Sequence, residues 1–145
     1  MRRPKFSPGT ADDTEAAFYD ALQHGDLERL MECWADEEDI VCVHPGGARL
    51  VGHTAIRGAF ENLFANGSVK VRAERVRRFD AGTCSVHSVV ERVDVMGDDG
   101  PASGWIMATN VYAKTVHGWR MVTHHASPGS GAEPVDTAVS PSLLH

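Results

Sequence analysis

Three histidines lie where strand-like sequence ends, and they are the residues best suited to acid/base chemistry. His44 closes the β-branched run that begins at Ile40, and Pro45 follows it directly. His124 and His125 lie near the end of the last strand-like stretch. An imidazole exchanges a proton near neutral pH because its unperturbed pKa is about 6.5. The pattern therefore makes these histidines candidate proton-transfer groups.

The adjacent His124 and His125 cannot both serve one site. Successive side chains of a strand point to opposite faces, so His124 shares a face with Val122 and Ala126, while His125 shares the other face with Ser127. Alternation alone does not decide which of the two faces is turned into the fold.

Other polar residues in apolar strands have two interpretations each. Asn110 either anchors a ligand or pairs with a neighbouring backbone group, and we favour the ligand. Glu91 and Arg92 face opposite ways, and we interpret them as one surface charge and one interface charge.

His44, His124 and Glu91 would form a two-histidine, one-carboxylate metal set. Because no short ligand spacing such as HxH or HExxH supports it, we predict no metal site.

The bulk properties indicate one globular domain. The chain has 145 residues, of which 42% are hydrophobic and 23% are charged. Its net charge of −6 argues against nucleic-acid binding, which needs a positive field. No secretory signal and no bilayer-spanning apolar stretch is visible. We therefore expect a soluble, cytoplasmic protein with neither nucleic acid nor membrane as a partner.

The first half of the sequence predicts helices. Residues 1–9 contain two prolines and a glycine, and we expect a flexible arm there. Apolar residues at helical spacing follow, with acidic residues at the first helix start and glycine after its end. The predicted helices run from about residue 10 to Gly25, from Asp26 to Trp34, and from Gly52 to Asn66.

The second half of the sequence predicts strands alone. Alternating stretches are separated by glycine-containing turns, so each strand should pair antiparallel with the next. Helices followed by a meander indicate an α+β fold whose sheet curls around the helices and leaves a cone with a cavity. Residues 129–145 lack periodicity and are predicted to form a disordered or swapped tail, which leaves 10–128 as the domain. The predicted strands are Val69–Phe79, Cys84–Val95, Gly104–Lys114 and Trp119–Ala126.

Five motifs occur in a characteristic order. They are Gly25–Leu27, Trp34–Asp36, His44–Gly47, Gly52–Ile56 leading to Phe60, and the ending Trp119–Pro128. In that order they resemble the SnoaL-like, ketosteroid-isomerase-like branch of the nuclear transport factor 2-like superfamily over residues 11 to 128. The resemblance implies a cone-shaped cystatin-like fold, with N-terminal helices packed in a curved antiparallel sheet. The ending also looks like the association domain of calcium/calmodulin-dependent kinase II, another member.

The resemblance also implies roles for single residues. His44 takes the position of the isomerase's catalytic aspartate, from which a histidine could remove a proton next to a carbonyl. The superfamily's register turns His124 toward the cavity. Phe18 replaces the tyrosine that donates to the oxyanion, and Trp34 and Phe60 replace its two supporting tyrosines. Losing one such donor costs on the order of a hundredfold or more in rate, so the known steroid isomerase mechanism is disfavoured.

These observations together predict a SnoaL-like domain that binds a small, largely apolar molecule in its cone. Cofactor-free isomerase- or dehydratase-type chemistry would run through His44, assisted by His124. No cofactor is expected. The predicted ligand-binding residues are Asn110, Phe18, Trp34, Phe60, Tyr112 and Val122.

An apolar convex sheet face predicts a homodimer, because soluble monomers rarely expose such a patch. The face would consist of Trp105, Met107, Val111, Met121 and Thr123. The alternative function is a non-enzymatic dimerisation or assembly module with a vestigial pocket. A cavity filled by aromatic rings and without buried polar groups would favour that alternative, whereas an open cavity with converging polar groups would favour ligand binding.

Overall fold

The computed structural model describes residues 6–138, which form three helices and one six-stranded sheet. The helices are α1 (Ala11–His24), α2 (Leu27–Glu32) and α3 (His53–Phe64). The strands are β1 (Val41–Val43), β2 (Arg49–Val51), β3 (Val71–Asp80), β4 (Cys84–Gly97), β5 (Gly100–Thr115) and β6 (Gly118–Ala126). This arrangement confirms the predicted α+β fold class. None of the described helices is long and apolar enough to cross a bilayer.

The sheet has the strand order β2-β1-β6-β5-β4-β3. All neighbours pair antiparallel except β1 and β6, which are parallel and make the sheet mixed. The parallel pair matters for the site, because it aligns Cys42 with His124. The chain leaves β1 at His44, so this pairing brings the two candidate histidines to the same part of the sheet.

The helix ends follow from local sequence. Thr10 caps α1 by accepting the amide of Asp13 at 3.1 Å, and Gly25 ends the helix with a left-handed φ of 63°. Asp26 then caps α2 by accepting the amide of Arg29 at 3.1 Å. These short-range signals explain why the boundaries of both helices were predictable.

Helix α1 is held against the sheet at two points. The Thr14 hydroxyl donates to the carbonyl of Trp119 at 2.7 Å, and the Gln23 amide donates to the carbonyl of Val71 at 2.8 Å. Between these points α1 buries its apolar side chains against the strands, which supplies the main hydrophobic stabilisation. The fully buried side chains of this core include Phe18, Leu30, Ile56, Val89, Tyr112 and Met121.

A β-bulge in β6 changes the predicted face of one residue. Val111 pairs with Thr123 and Tyr112 pairs with Met121, which leaves Val122 as an extra residue. Met121 therefore turns into the core and is 0% exposed. Its assignment to the convex face was wrong, because strict alternation across Val122 does not hold.

Residues 6 to 9 of the predicted flexible arm are fixed to the domain. The guanidinium of Arg120 lies 4.9 Å from the ring centre of Phe6, and the Pro8 carbonyl accepts the amide of Trp119 at 3.1 Å. Gly118 permits this approach, since a Cβ there would lie 2.6 Å from the Pro8 oxygen. The remainder of the predicted arm, residues 1–5, lies outside the described residues.

The predicted tail also differs from expectation as far as residue 138. Ser130 exchanges two backbone hydrogen bonds of 2.8 Å with Trp105. Farther on, Asp136 pairs with Arg77 at 3.3 Å, and the Pro134 carbonyl accepts from Arg75. Acidic and carbonyl groups of the tail thus meet the arginines of β3, which places this part on the chain's own sheet. Residues 139–145 of the predicted tail lie outside the described residues.

Candidate functional site

A cavity of about 250 Å³ lies between α1, α3 and the strands of the sheet. Its walls are mostly apolar, and three ionisable side chains, His44, Glu91 and His124, reach it. Such a combination of apolar walls and a few convergent polar groups is typical of ligand sites. The apolar lining consists of Phe18, Leu22, Pro45, Phe60, Leu63, Val69, Val71, Val93, Ile106 and Ala126.

His44 presents a ring nitrogen that lacks a partner. Its ring centre lies 4.9 Å from that of Phe60, and its Nε2 is shielded from solvent without a hydrogen bond to any described residue. Burial lowers the pKa of His44 from its ordinary value, because removal from water disfavours the imidazolium. Nε2 of His44 is therefore available for a hydrogen bond with a bound molecule.

A chain of buried hydrogen bonds runs behind the cavity wall from β6 to β4. Nδ1 of His124 lies 2.5 Å from Oδ1 of Asn110, and the amide nitrogen of Asn110 donates to the Tyr19 hydroxyl at 3.0 Å. The Tyr19 hydroxyl in turn donates to Glu91 at 2.7 Å. The three bonds connect two cavity-lining groups, His124 and Glu91, through residues that do not line the cavity.

His124 is held in its neutral form. Burial lowers its pKa to about 3, and positive charge on His44 and His125 acts in the same direction. Since the Asn110 amide donates to Tyr19, its oxygen accepts Nδ1–H of His124. In the neutral tautomer this leaves the lone pair on Nε2 of the ring.

The carboxyl group of Glu91 has a pKa close to neutral pH. Burial raises its pKa to about 7, the Tyr19 hydrogen bond opposes that shift, and the charge of Glu15 adds to it. A carboxyl with such a pKa is present both protonated and ionised at pH 7, as general acid/base chemistry requires. The prediction that Glu91 is a surface or interface charge was wrong, because it is 4% exposed and faces the cavity.

The predicted ligand-binding residues divide into two groups. Phe18 and Phe60 line the cavity, and Asn110 lies one hydrogen bond behind it through His124. Within the described residues the lining does not include Trp34, Tyr112 or Val122. Their positions differ from expectation for three reasons. Trp34 packs beside Met121 in the core, Tyr112 turns its hydroxyl to Glu15 at 2.7 Å, and Val122 occupies the bulge.

Sequence reasoning missed Tyr19 as well as Glu91. The family resemblance matched the neighbouring Phe18, and not Tyr19, to a tyrosine position. Tyr19 is nevertheless 4% exposed and belongs to the hydrogen-bond chain between His124 and Glu91. One signal for Glu91 was present, since Val89 and Glu91 are two residues apart and share a face of β4. A prediction that Val89 belongs to the core would also have predicted that Glu91 faces inward.

A second buried polar cluster lies near the first turn of α1. Glu15 accepts the hydroxyl of Tyr112 at 2.7 Å and lies 2.8 Å from Nδ1 of His87. Ligand atoms of Asp12, Glu15 and His87 all lie within 4.8 Å of one another, so the three side chains are close enough to share a cation after small adjustments. In the described part of the chain this is the set of residues suited to hold a metal ion.

Three helices enclosed by a single curled sheet, with a partly polar cavity between them, define the class of nuclear transport factor 2-like proteins with a cystatin-like fold. Residues 12–130 match the SnoaL-like domain family, and the chain belongs to that family. The match confirms the family resemblance carried by the five sequence motifs.

Three solved structures illustrate this relationship. A protein of Thiobacillus denitrificans, provisionally named as a calcium/calmodulin-dependent protein kinase type II association domain, is 34% identical over 87% of this chain and 98% of its own, with a TM-score of 0.74. A provisionally named dehydratase of the same superfamily from Streptomyces avermitilis is 28% identical over 79% of this chain and 90% of its own, with a TM-score of 0.70. A protein with a cystatin-like fold from Novosphingobium aromaticivorans is 21% identical over 92% and 85%, with a TM-score of 0.68. No protein of curated function was found to match this chain.

Proposed function

We propose that this protein binds a small, largely apolar carbonyl or hydroxy compound in the cone and catalyses a cofactor-free proton transfer or elimination on it. One observation carries the proposal: a base without a partner, His44, shares an apolar cavity with a carboxyl, Glu91, whose pKa is about 7. Core packing alone gives no reason to place these groups there, since burying the unpaired His44 nitrogen costs stability, and so does burying a carboxyl group such as Glu91 even with its bond from Tyr19.

The two groups divide the chemistry between them. Nε2 of His44 removes a proton from a carbon next to a carbonyl, and the electron pair of the broken C–H bond moves toward the carbonyl. Protonated Glu91 then gives its proton to the oxygen, either a developing enolate or a departing hydroxyl that leaves as water. Neutral His124 accepts a hydrogen bond from the substrate through Nε2.

The cavity limits the size and polarity of the substrate. Its volume of about 250 Å³ is at or below the lower end of the roughly 300–1,000 Å³ usual for ligand pockets. Rings of Phe18 and Phe60 form part of its wall, with centres 6.1 Å apart. These features favour a compact molecule with one or two oxygen atoms rather than a charged metabolite.

The experiment that tests this proposal needs no knowledge of the product. The protein is incubated in D₂O with a panel of small cyclic ketones and hydroxyketones, and exchange of the α-protons is followed by NMR. The wild type should accelerate exchange in at least one panel member. His44→Ala should abolish this acceleration, and Glu91→Gln should reduce it by at least tenfold because general acid/base groups contribute roughly 10²–10⁴-fold.

His125→Ala is the matched control. His125 is exposed and adjacent to His124, so its removal should leave exchange unchanged. Exchange that persists in both His44→Ala and Glu91→Gln would rule out the assigned roles. A panel without exchange or bound ligand would favour the second candidate function.

The second candidate is an assembly module, and the relative named as an association domain favours it. The buried polar groups at the cavity instead support ligand binding.

Both functions are compatible with a homodimer that forms through the convex sheet face. We propose such a dimer, and we propose that the protein is cytoplasmic. Met107 is 45% exposed on that face, so Met107→Asp should shift the sedimentation coefficient to that of a monomer. Val116→Asp, in an exposed turn, is the control.

A further inference from the structure

A second cavity opens at the N-terminal end of α1. It has a volume of about 410 Å³ and is separate from the residues that line the first cavity. Asp12 and His87 line it together with Arg78 and Asp80. Glu15 lies one turn along α1 from Asp12 and contacts His87. The cavity therefore gives access from outside to a buried carboxylate–imidazole pair.

The hydrogen bonds around His87 fix which of its nitrogens carries a proton. Ser85 has one hydroxyl hydrogen, and it donates this hydrogen to Asp80 at 2.5 Å. The Ser85 oxygen lies 3.0 Å from Nε2 of His87, and with its hydrogen used it can only accept there. Nε2 of His87 is therefore protonated, and Nδ1 of a neutral ring would carry the lone pair.

That lone pair faces an acceptor. Nδ1 of His87 lies 2.8 Å from Oε2 of Glu15, and this same oxygen already accepts the hydroxyl of Tyr112. A lone pair and a carboxylate oxygen repel each other at such a distance unless a positive charge lies between them. A metal cation between these two atoms would accept an electron pair from each of them.

The surrounding charges favour a doubly charged cation. Asp12, Glu15 and Asp80 supply three formal negative charges, whereas Arg78, which pairs with Asp12 at 2.7 Å, supplies one positive charge. His87 is 1% exposed and Glu15 is 5% exposed, so water screens their charges poorly. A divalent ion would balance the excess.

We propose that His87, Glu15 and Asp12 bind one divalent transition-metal ion of the zinc type. Two carboxylates and one imidazole are ligands that this class of ion accepts, at about 2.0–2.2 Å each. Small side-chain adjustments would bring the ligand atoms, now within 4.8 Å of one another, to that distance. Water from the cavity would fill the fourth position.

The neighbours of His87 match the support that metal-binding histidines usually have. Such a histidine donates its second N–H to a carboxylate, carbonyl or water, which fixes the ring. Here Nε2–H donates to Ser85, and Ser85 donates to the Asp80 carboxylate. Tyr112 orients Glu15 in the same way. The residues of this site do not line the first cavity, so metal binding here does not require the function proposed for that cavity.

Isothermal titration of the EDTA-treated full-length protein with Zn²⁺ tests this inference, and Co²⁺ provides visible ligand-field bands. The wild type should bind one ion per chain. Asp12→Asn should weaken binding on the order of tenfold or more, as changes around metal sites usually do. Arg78→Gln should strengthen binding, because it releases Asp12 from its ion pair. Neither substituted side chain is buried, so both variants should fold.

Asp13→Asn provides the matched control, since it makes the same change of charge in the same exposed turn outside the cluster. It should bind Zn²⁺ as the wild type does. Equal affinities for Asp12→Asn and Asp13→Asn would overturn the proposed ligand set. Absence of one-to-one binding in the wild type would overturn the proposal itself.

Discussion

The two polar clusters of this domain use the same helix and neighbouring strands but treat their charges differently. In the first, Glu91 and His124 line the apolar cavity and are connected to each other by hydrogen bonds through neutral side chains. Burial raises the pKa of Glu91 and lowers that of His124, which favours the neutral form of each. In the second, Glu15 and His87 contact each other directly, with Tyr112 adding a further bond to Glu15. The first cluster thus connects its two ionisable groups through uncharged side chains, whereas in the second the carboxyl group and the imidazole are in direct contact.

The difference arises from spacing along α1. Glu15 and Tyr19 are four residues apart, so they occupy neighbouring positions on one side of the helix. Glu15 supplies a charge to one cluster, and Tyr19 supplies only a hydroxyl to the other. The Glu15 charge nevertheless raises the pKa of both Tyr19 and Glu91, which couples the two clusters.

The largest expected effect comes from breaking the chain of the first cluster at its middle. Asn110 is 0% exposed and bonds both His124 and Tyr19. Asn110→Ala should reduce the free energy of unfolding by about 3 kcal/mol or more, because it leaves a buried donor unpaired and creates a cavity. Urea denaturation measures the change. Asn62→Ala, on the exposed side of α3, should cost little, and equal losses would contradict the network.

The second prediction concerns pH. The pKa of Glu91 rises from 4.5 to about 7 on folding, so the folded state binds the extra proton and stability is lost as pH rises through this interval. Glu91→Gln keeps an acceptor for Tyr19 and removes this loss. Relative to the wild type, the variant should therefore gain about 3 kcal/mol between pH 4.5 and pH 7.

Two comparisons sharpen the pH test. Exposed Glu61 provides the control Glu61→Gln, which makes the same chemical change at a solvent-accessible carboxyl group. His124 acts in the opposite direction, since its pKa falls from 6.5 to about 3 and its contribution is lost as pH decreases through this range. A flat difference between Glu91→Gln and the wild type would mean that Glu91 is ionised normally in the folded protein.

The protein's two tyrosines permit a direct comparison of the clusters. Tyr19→Phe removes the donor of Glu91 and the acceptor of Asn110, and should cost about 2 kcal/mol. Tyr112→Phe should cost about 1 kcal/mol, because Glu15 keeps its contact with His87. Tyr19→Phe should also raise the pKa of Glu91 above 7, since the lost bond had lowered it. Equal costs and an unshifted Glu91 titration would show that the clusters do not differ in this way.

The parts of the molecule that depend on short-range sequence signals were predictable. Thr10, Gly25 and Asp26 mark helix ends through bonds to their own neighbours, and the His44 motif lies at a strand end that local residues define. The inward orientation of His124 was also expected, from the family register.

The remaining features depend on long-range pairing. Glu91 lies two residues from Val89 and four from His87, so the inner face of β4 carries polar residues and does not show the usual pattern of apolar residues inside. The bulge at Val122 exists only through the pairing of β6 with β5, and no local residue pattern indicated that Met121 would turn into the core. Hydrophobic alternation predicts apolar residues on the inner face of a strand, so it cannot identify a site whose inward-facing residues are polar.

The smallest effect on stability is expected at His44, and it separates function from folding most clearly. Its Nε2 has no partner among the described residues and its ring contacts Phe60, so His44→Leu replaces an unpaired polar group with an apolar one. The free energy of unfolding should change by less than about 1 kcal/mol in either direction, whereas proton exchange should be lost. His87→Leu, which leaves Glu15 without its imidazole partner, should cost about 3 kcal/mol or more in the same assay. A large loss in His44→Leu would instead mean that His44 supports the fold, and its unpaired nitrogen would then no longer argue for a ligand.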